Sequence, residues 1–460
     1  MNILIKNISF KEEPVDIYIE GNIIKRIDKV DKTDKADKVD KTDKTDKTDK
    51  VDKVDKADKV DKIDCRDGAC SVSIDKIIDG TGKAVIAGLV NGHTHSAMTL
   101  FRGWGDDMPL EQWLTEKIWP YEAKLTDDMV YWGTKLACLE MIKSGTTCFN
   151  DMYWHLDASV KAIEESGLRA TIASVILDPV NSQSINDVIE PVLAAYKKSL
   201  DYNDRISYAL APHAIYTVSK EIFKWVRDFS KENDLLIHTH VAETQTEYDN
   251  CVKEHGMSPI RYLNSLGLLS PRLIIAHCLW LDDEEIQMLA DNDVKVIHNP
   301  NSNLKLASGY RFKYHEMKDA GITVGIGTDG CSSSNNLDMI EAMKVASLIG
   351  KAWREDPTAM PAREMFRCAA LNGGKILRQN TGQIKEGFLA DLVLIDLKTP
   401  AFTPNFNFIS NLIYAANGNN VDTVICNGKI LMENKHVEGE EEILHMGNVI
   451  ADKLFFNKNN

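Results

Sequence analysis

The chain has 460 residues, 43% of them hydrophobic, enough for one large core plus an accessory domain. Its formal net charge of −15 argues against nucleic acid as a partner, because a polyanion is repelled. The nine cysteines are odd in number and scattered without zinc-ribbon spacing, which fits reduced thiols in the cytoplasm. The opening MNILIKNISFKEEP is charged too soon for a signal peptide, and no run of about 18 apolar residues offers a membrane span.

In chain order, Ile3-Leu4-Ile5, Asp16-Ile17-Tyr18-Ile19 and Ile23-Ile24 read as short strands joined by turns such as Glu20-Gly21-Asn22. Residues 27–62 repeat a tripeptide, an apolar residue or Thr followed by Asp-Lys. A period of three matches neither strand nor helix, and the tract carries too little apolar surface to offset its ordering entropy. It is expected to be a disordered, expanded surface loop. Strand-like runs follow at 85–92, 146–151, 170–176, 206–211, 235–241, 273–277, 294–298 and 323–327. Helical stretches such as Met129 to Ser144 and Asp157 to Glu165 lie between them. Eight strand-then-helix units is the count of an α/β, (β/α)8 TIM-like barrel. The strand-like runs 391–396 and 421–429 near the far end resemble those at the start. The two ends are therefore expected to combine as one small β-sandwich, with 1–84 and 381–460 flanking a barrel at 85–380.

In such a barrel, catalytic groups leave the C-terminal ends of several strands. His93-Thr94-His95 ends the first run, and residues two apart on an extended chain share a side. His213 follows the fourth run, His240 and Glu243 the fifth, His277 the sixth and Asp329 the eighth. Three imidazoles and a carboxylate suit a divalent ion with a position left for water, and His93, His95, His240 and Asp329 are assigned as ligands. Zinc fits this donor set best, with iron and manganese as alternatives. Glu243, three residues past a ligand, is placed for proton transfer. His238 shares the facing of His240 and reads as a residue behind the ligands or packed in the core. His298 follows the seventh run, where it is placed to line the pocket, its role open. His155, His255, His315, His436 and His445 lie in polar contexts and read as surface.

Gly92-His93-Thr94-His95, His240-x-x-Glu243, Ala276-His277-Cys278, His298-Asn299-Pro300 and Gly327-Thr328-Asp329 together resemble the amidohydrolase superfamily. More narrowly, Met98–Gly103, Trp119-Pro120-Tyr121-Glu122-Ala123-Lys124-Leu125 and Ser144-Gly145-Thr146-Thr147 are similar to the 5'-methylthioadenosine/S-adenosylhomocysteine deaminases, a group that includes 5'-deoxyadenosine deaminases. The resemblance implies a zinc-dependent barrel with a β-sandwich from both chain ends, and deamination of an adenine nucleoside at C6. It implies that Glu122 binds the ribose hydroxyls, that His213 contacts the nucleoside and that Glu243 faces the purine. It also implies that His277 orients the attacking water, with Asp329 as its proton acceptor. Two-metal members often carry a lysine after strand four; here Pro212-His213 stands there, which implies one ion per subunit. From Thr171 through Tyr196 there is no Lys or Arg, so a carboxylate clamp for a homocysteine tail is expected to be missing unless Arg102 or a basic residue from another segment supplies it. A small-molecule nucleoside is the expected partner, and a homo-oligomer is compatible with the chain. The rival readings are a guanine, triazine or cyclic-amide hydrolase on the same scaffold, and a non-catalytic binding barrel.

Overall fold

The computed structural model describes residues 1–30, 62–64, 71–109, 112–178 and 184–456. Eight parallel strands form one sheet in simple sequence order: Leu89–Thr94, Thr146–Tyr153, Arg169–Ile176, Ile206–Pro212, Leu236–Val241, Leu273–His277, Lys295–His298 and Val324–Ile326. Nearly every residue in these strands is buried, as expected where helices cover one face of a parallel sheet and the barrel interior the other. The ring closes between strands one and eight. Thr328 N donates to Asn91 Oδ1 (3.0 Å), Asn91 Nδ2 to Thr328 Oγ1 (2.7 Å), and Asp329 N to His93 O (3.0 Å). Several helices start on side-chain caps. Thr126 Oγ1 accepts from Met129 N ahead of Asp127–Lys143, and Asp282 and Glu285 form a reciprocal capping box ahead of Asp283–Asp291.

The run expected as one strand at 85–92 is two. Lys83–Ala87 pairs antiparallel with Leu392–Asp396 in a sheet built from the two chain ends, and the barrel strand begins only at Leu89. Gly88 marks the step, since a Cβ there would lie 2.0 Å from Thr147 Oγ1. The run looks continuous because both halves are buried. The chain-end sheet also takes Asn2–Phe10, Glu13–Glu20, Ile23–Lys29, Lys76–Asp79, Val421–Cys426 and Lys429–Met432. Ile3, Ile5, Ile17 and Ile19 from its start meet Val85, Leu392, Leu394 and Ile425 in one apolar core. Ile23–Lys29 reaches three residues into the Asp-Lys repeat, because Ile27 pairs opposite Ile17. The expectation of disorder for the rest of the tract falls, apart from Val30 and Lys62, outside the described residues. The C-terminal tail is not part of this sheet. It forms a helix, Glu440–Phe456, that docks on the barrel helix Asp127–Lys143 through Lys143 Nζ–Glu440 Oε1 (2.6 Å) and buried Ile450 and Leu454. The seven described cysteines are buried and unpaired. No helix among the described residues is long and apolar enough to cross a membrane.

Candidate active site

At the C-terminal mouth of the barrel, His93, His95, His240 and Asp329 bring one donor atom each to within 4.8 Å of one another. Asp329 Oδ1 lies 3.2 Å from Nε2 of both His93 and His95, and His240 Nε2 lies 3.2 Å from His93 Nε2. The opposite nitrogen of each ring is held from behind. His95 Nδ1 donates to Met152 O (2.7 Å), His240 Nδ1 to His213 O (2.8 Å), and His93 Nδ1 faces His238 Nε2 (2.6 Å). A carbonyl only accepts, so the first two rings carry a proton on Nδ1 and turn Nε2 inward, the orientation of metal-ligating histidines. Asp329 Oδ2 accepts from Ser302 Oγ (2.6 Å) and Ser333 Oγ (2.9 Å), leaving Oδ1 for the cluster.

The electrostatics point the same way. Burial holds the His93 imidazolium down to about 4 and that of His240 well below its ordinary range. Burial also opposes charge on His95, but the hydrogen bond and charge of Asp329 outweigh it and push His95 up to about 9. Burial would raise Asp329, yet His93 and His95 hold it well below the usual carboxylate range. A buried carboxylate that draws a proton onto a neighbouring imidazole demands positive charge, and a divalent cation on these four atoms supplies it. The donor set therefore fits a divalent metal ion.

Beside the cluster, His277 Nδ1 accepts from Asn303 Nδ2 (2.8 Å), which leaves the proton on Nε2, 3.9 Å from Glu243 Oε2. Glu243 Oε1 accepts from Ser308 Oγ (3.2 Å). The left-handed φ values of Ala242 (54°), His277 (77°) and Asp329 (63°) turn the chain sharply at the ends of strands five, six and eight. Non-glycine residues in that region carry backbone strain of the kind concentrated at functional sites. His213, its ring nitrogen Nδ1 against Thr217 Oγ1 (2.9 Å), is pushed down to about 4 by burial. Glu122 ends the short helix Trp119–Glu122; Tyr153 donates to its Oε1 (2.9 Å), and burial pushes its carboxyl up to about 7.

The structure thus gathers His95, His240, Asp329, Glu122, His213, Glu243 and His277 around one cleft, with His93 buried beneath it. His238 lies behind His93. His298 does not line the cleft; it is buried and stacked on Phe312 (4.0 Å). His155, His436 and His445 are exposed, whereas His255 is half-buried against Tyr262 and His315 half-buried beside Met360. Several supporting groups escaped the sequence reading. Ser302, Ser333 and Asn303 sit on segments that show no periodicity. The carbonyl of His213 is invisible to any side-chain pattern. Glu247 accepts from the main-chain N–H of both Ala242 and Glu243 (2.8 Å each). Its signal was present as Thr244-x-x-Glu247, a capping-box spacing.

Residues 84–431 match a family model described as the amidohydrolase family. The chain is 47% identical over 383 residues to the 5'-deoxyadenosine deaminase of Methanothermobacter thermautotrophicus, covering 83% of this chain and 90% of that protein. It is 45% identical over 392 residues to the 5-methylthioadenosine/S-adenosylhomocysteine deaminase 1 of Archaeoglobus fulgidus, covering 84% and 92%. A zinc-bound adenosine deaminase structure from Xanthomonas campestris superposes with a TM-score of 0.84 at 30% identity, over 98% of each chain.

Proposed function

The chain belongs to the amidohydrolase family, and from that premise we propose that it hydrolytically deaminates adenine nucleosides at C6, releasing ammonia and the inosine analogue. The observation that carries this reading is the meeting, in one cleft, of the His93-His95-His240-Asp329 cluster with the neighbouring Glu243 and His277. It is supported by the identity to nucleoside deaminases over most of the chain.

One zinc ion per subunit, held by those four residues, would lower the pKa of a bound water from ~16 towards ~7. Asp329 accepts a proton from the attacking water. His277, its Nε2–H facing the cleft, orients that water by hydrogen bonding. Glu243, steadied by Ser308, delivers a proton to ring N1 as C6 becomes tetrahedral, which spreads the charge developing on the ring. Asp329 then passes the proton it took from water to the amino group, the C6–N bond breaks and ammonia leaves, and the C6 hydroxyl proton returns to Glu243 as C6 keeps its oxygen as a carbonyl. Glu122 accepts from the ribose hydroxyls, and His213 contacts the nucleoside.

Within this class the cleft suits 5'-methylthioadenosine, 5'-deoxyadenosine and adenosine better than S-adenosylhomocysteine. Among the described residues no lysine or arginine lines it, while Met98, Trp113, Leu114, Trp119 and Leu306 do. Arg102 is engaged by Glu140 (2.5 Å) and the carbonyl of Asn335, away from the cleft. The test is ammonia release across adenosine, its 5'-variants, guanine and a triazine. Turnover of the 5'-apolar adenosines is expected to exceed all others in catalytic efficiency. Equal or greater efficiency on S-adenosylhomocysteine would refute the preference, and turnover confined to guanine or the triazine would refute the reading.

A further inference from the structure

The cleft wall that carries Glu122 is a helical segment, Trp113–Ile118 continuing into Trp119–Glu122. Its two faces do different things. Trp113, Leu114, Ile118, Trp119 and Glu122 line the cleft. Lys117 and Tyr121, four apart and hence on one side of a helix, point the other way. The Lys117 ammonium lies 5.2 Å from the Trp104 ring, and the Tyr121 ring lies 5.1 Å from the rings of both Trp104 and Phe455. Phe455 is the keystone of this aromatic group, with its ring 4.3 Å from Trp104 and 5.4 Å edge-on to Phe101. It comes from the last turn of Glu440–Phe456, whose Ile450 and Leu454 are buried among Phe101, Met129 and Val130.

We infer that Phe455 is a positioning residue for the substrate: the C-terminal helix braces the back of the wall and so sets where Glu122 and Trp119 meet the sugar. The inference rests on the proposed reading that this wall contacts a nucleoside. The helix is anchored by its own buried residues, so the brace is held independently of the wall it supports. Tyr121 is next in sequence to Glu122, so a shift of the back face moves the carboxylate directly. The four metal-site residues lie at the ends of barrel strands and outside the Trp113–Glu122 wall.

The test is Phe455→Ala in the full-length, metal-loaded enzyme, with Phe455→Tyr as the conservative variant and Phe406→Ala, at a ring 90% exposed, as the control. KM for adenosine-type nucleosides is expected to rise roughly tenfold, the equivalent of losing one or two ring pairs. Turnover at saturation and bound metal should stay unchanged, and Phe455→Tyr should restore KM. Amide hydrogen exchange over residues 113–124 should quicken while the barrel strands stay protected. If Phe455→Ala does not fold, Phe455→Leu is measured in the same way. Unchanged KM with unchanged exchange at 113–124 overturns the inference. So does a parallel loss of metal, turnover and barrel protection, which marks general destabilisation. If the wild-type enzyme deaminates no adenine nucleoside, the functional reading fails, and the exchange at 113–124 alone decides whether the brace exists.

Discussion

Replacing Glu247 with alanine removes a buried carboxylate that accepts from Ala242 N and Glu243 N at 2.8 Å each. The peptide it holds sits at a left-handed turn, φ 54° at Ala242, whose carbonyl is tied to Leu279 N and Trp280 N. Without the carboxylate two donors are left unpaired, at about 1–3 kcal/mol each, so roughly 2–6 kcal/mol acts against the turn. What remains to hold Glu243 is its bond to Ser308 at 3.2 Å, a contact of about 0.5–1.5 kcal/mol, too little to preserve the geometry. A displacement of about 1 Å at a reacting group costs on the order of a hundredfold. Glu247→Ala is therefore expected to lower turnover about a hundredfold and keep its metal. Glu247→Gln retains one acceptor but turns a donor towards the other N–H, and should lose about tenfold. Turnover is read from the adenine-to-hypoxanthine absorbance change and metal content by elemental analysis. Turnover of Glu247→Ala within twofold of wild type would refute the claim that this residue sets the position of Glu243.

Glu243→Gln should hold metal normally, since Glu243 is outside the four-atom cluster, yet lose on the order of 10²–10⁴ in turnover; normal turnover would remove its proton-transfer role. Dialysis against a chelator should abolish activity, with zinc restoring more than iron or manganese. Because His95 is pushed up to about 9 beside Asp329, metal uptake at about pH 6 should release about one proton per subunit, measurable by titration calorimetry in buffers of different ionisation heat. Burial pushes Glu122 up to about 7. It is thus ionised above that pH and protonated below, where it loses acceptor capacity. The Kd for inosine should rise by about one log unit per pH unit below 7 and become flat in Glu122→Gln; a flat profile in the wild type would argue against Glu122 as the sugar-binding acid.

Much of this protein is local and was legible as such. The eight barrel strands announce themselves as short apolar runs because both of their faces are buried. The ligands follow those runs because side chains at strand ends are where a parallel barrel exposes chemistry. His93-Thr94-His95 and Gly327-Thr328-Asp329 therefore identified the cluster without coordinates. The continuous run at 85–90 hid a change of sheet, since burial reads the same in either sheet and only the close approach at Gly88 separates them. His238 behind His93 was legible from its facing, but tertiary structure decided which other groups stand behind the ligands. The carbonyls of Met152 and His213 and the hydroxyls of Ser302 and Ser333 act through position, and no residue-type pattern encodes where a main-chain oxygen points. The same holds for Glu122, whose carboxylate becomes a pocket group only because the Trp113–Glu122 wall is packed from behind by Trp104 and Phe455, the latter more than 300 residues away in the chain. Sequence determined the chemistry available at the barrel mouth through side-chain identity and strand period. Long-range packing determined the shape of the cleft in which that chemistry meets a substrate.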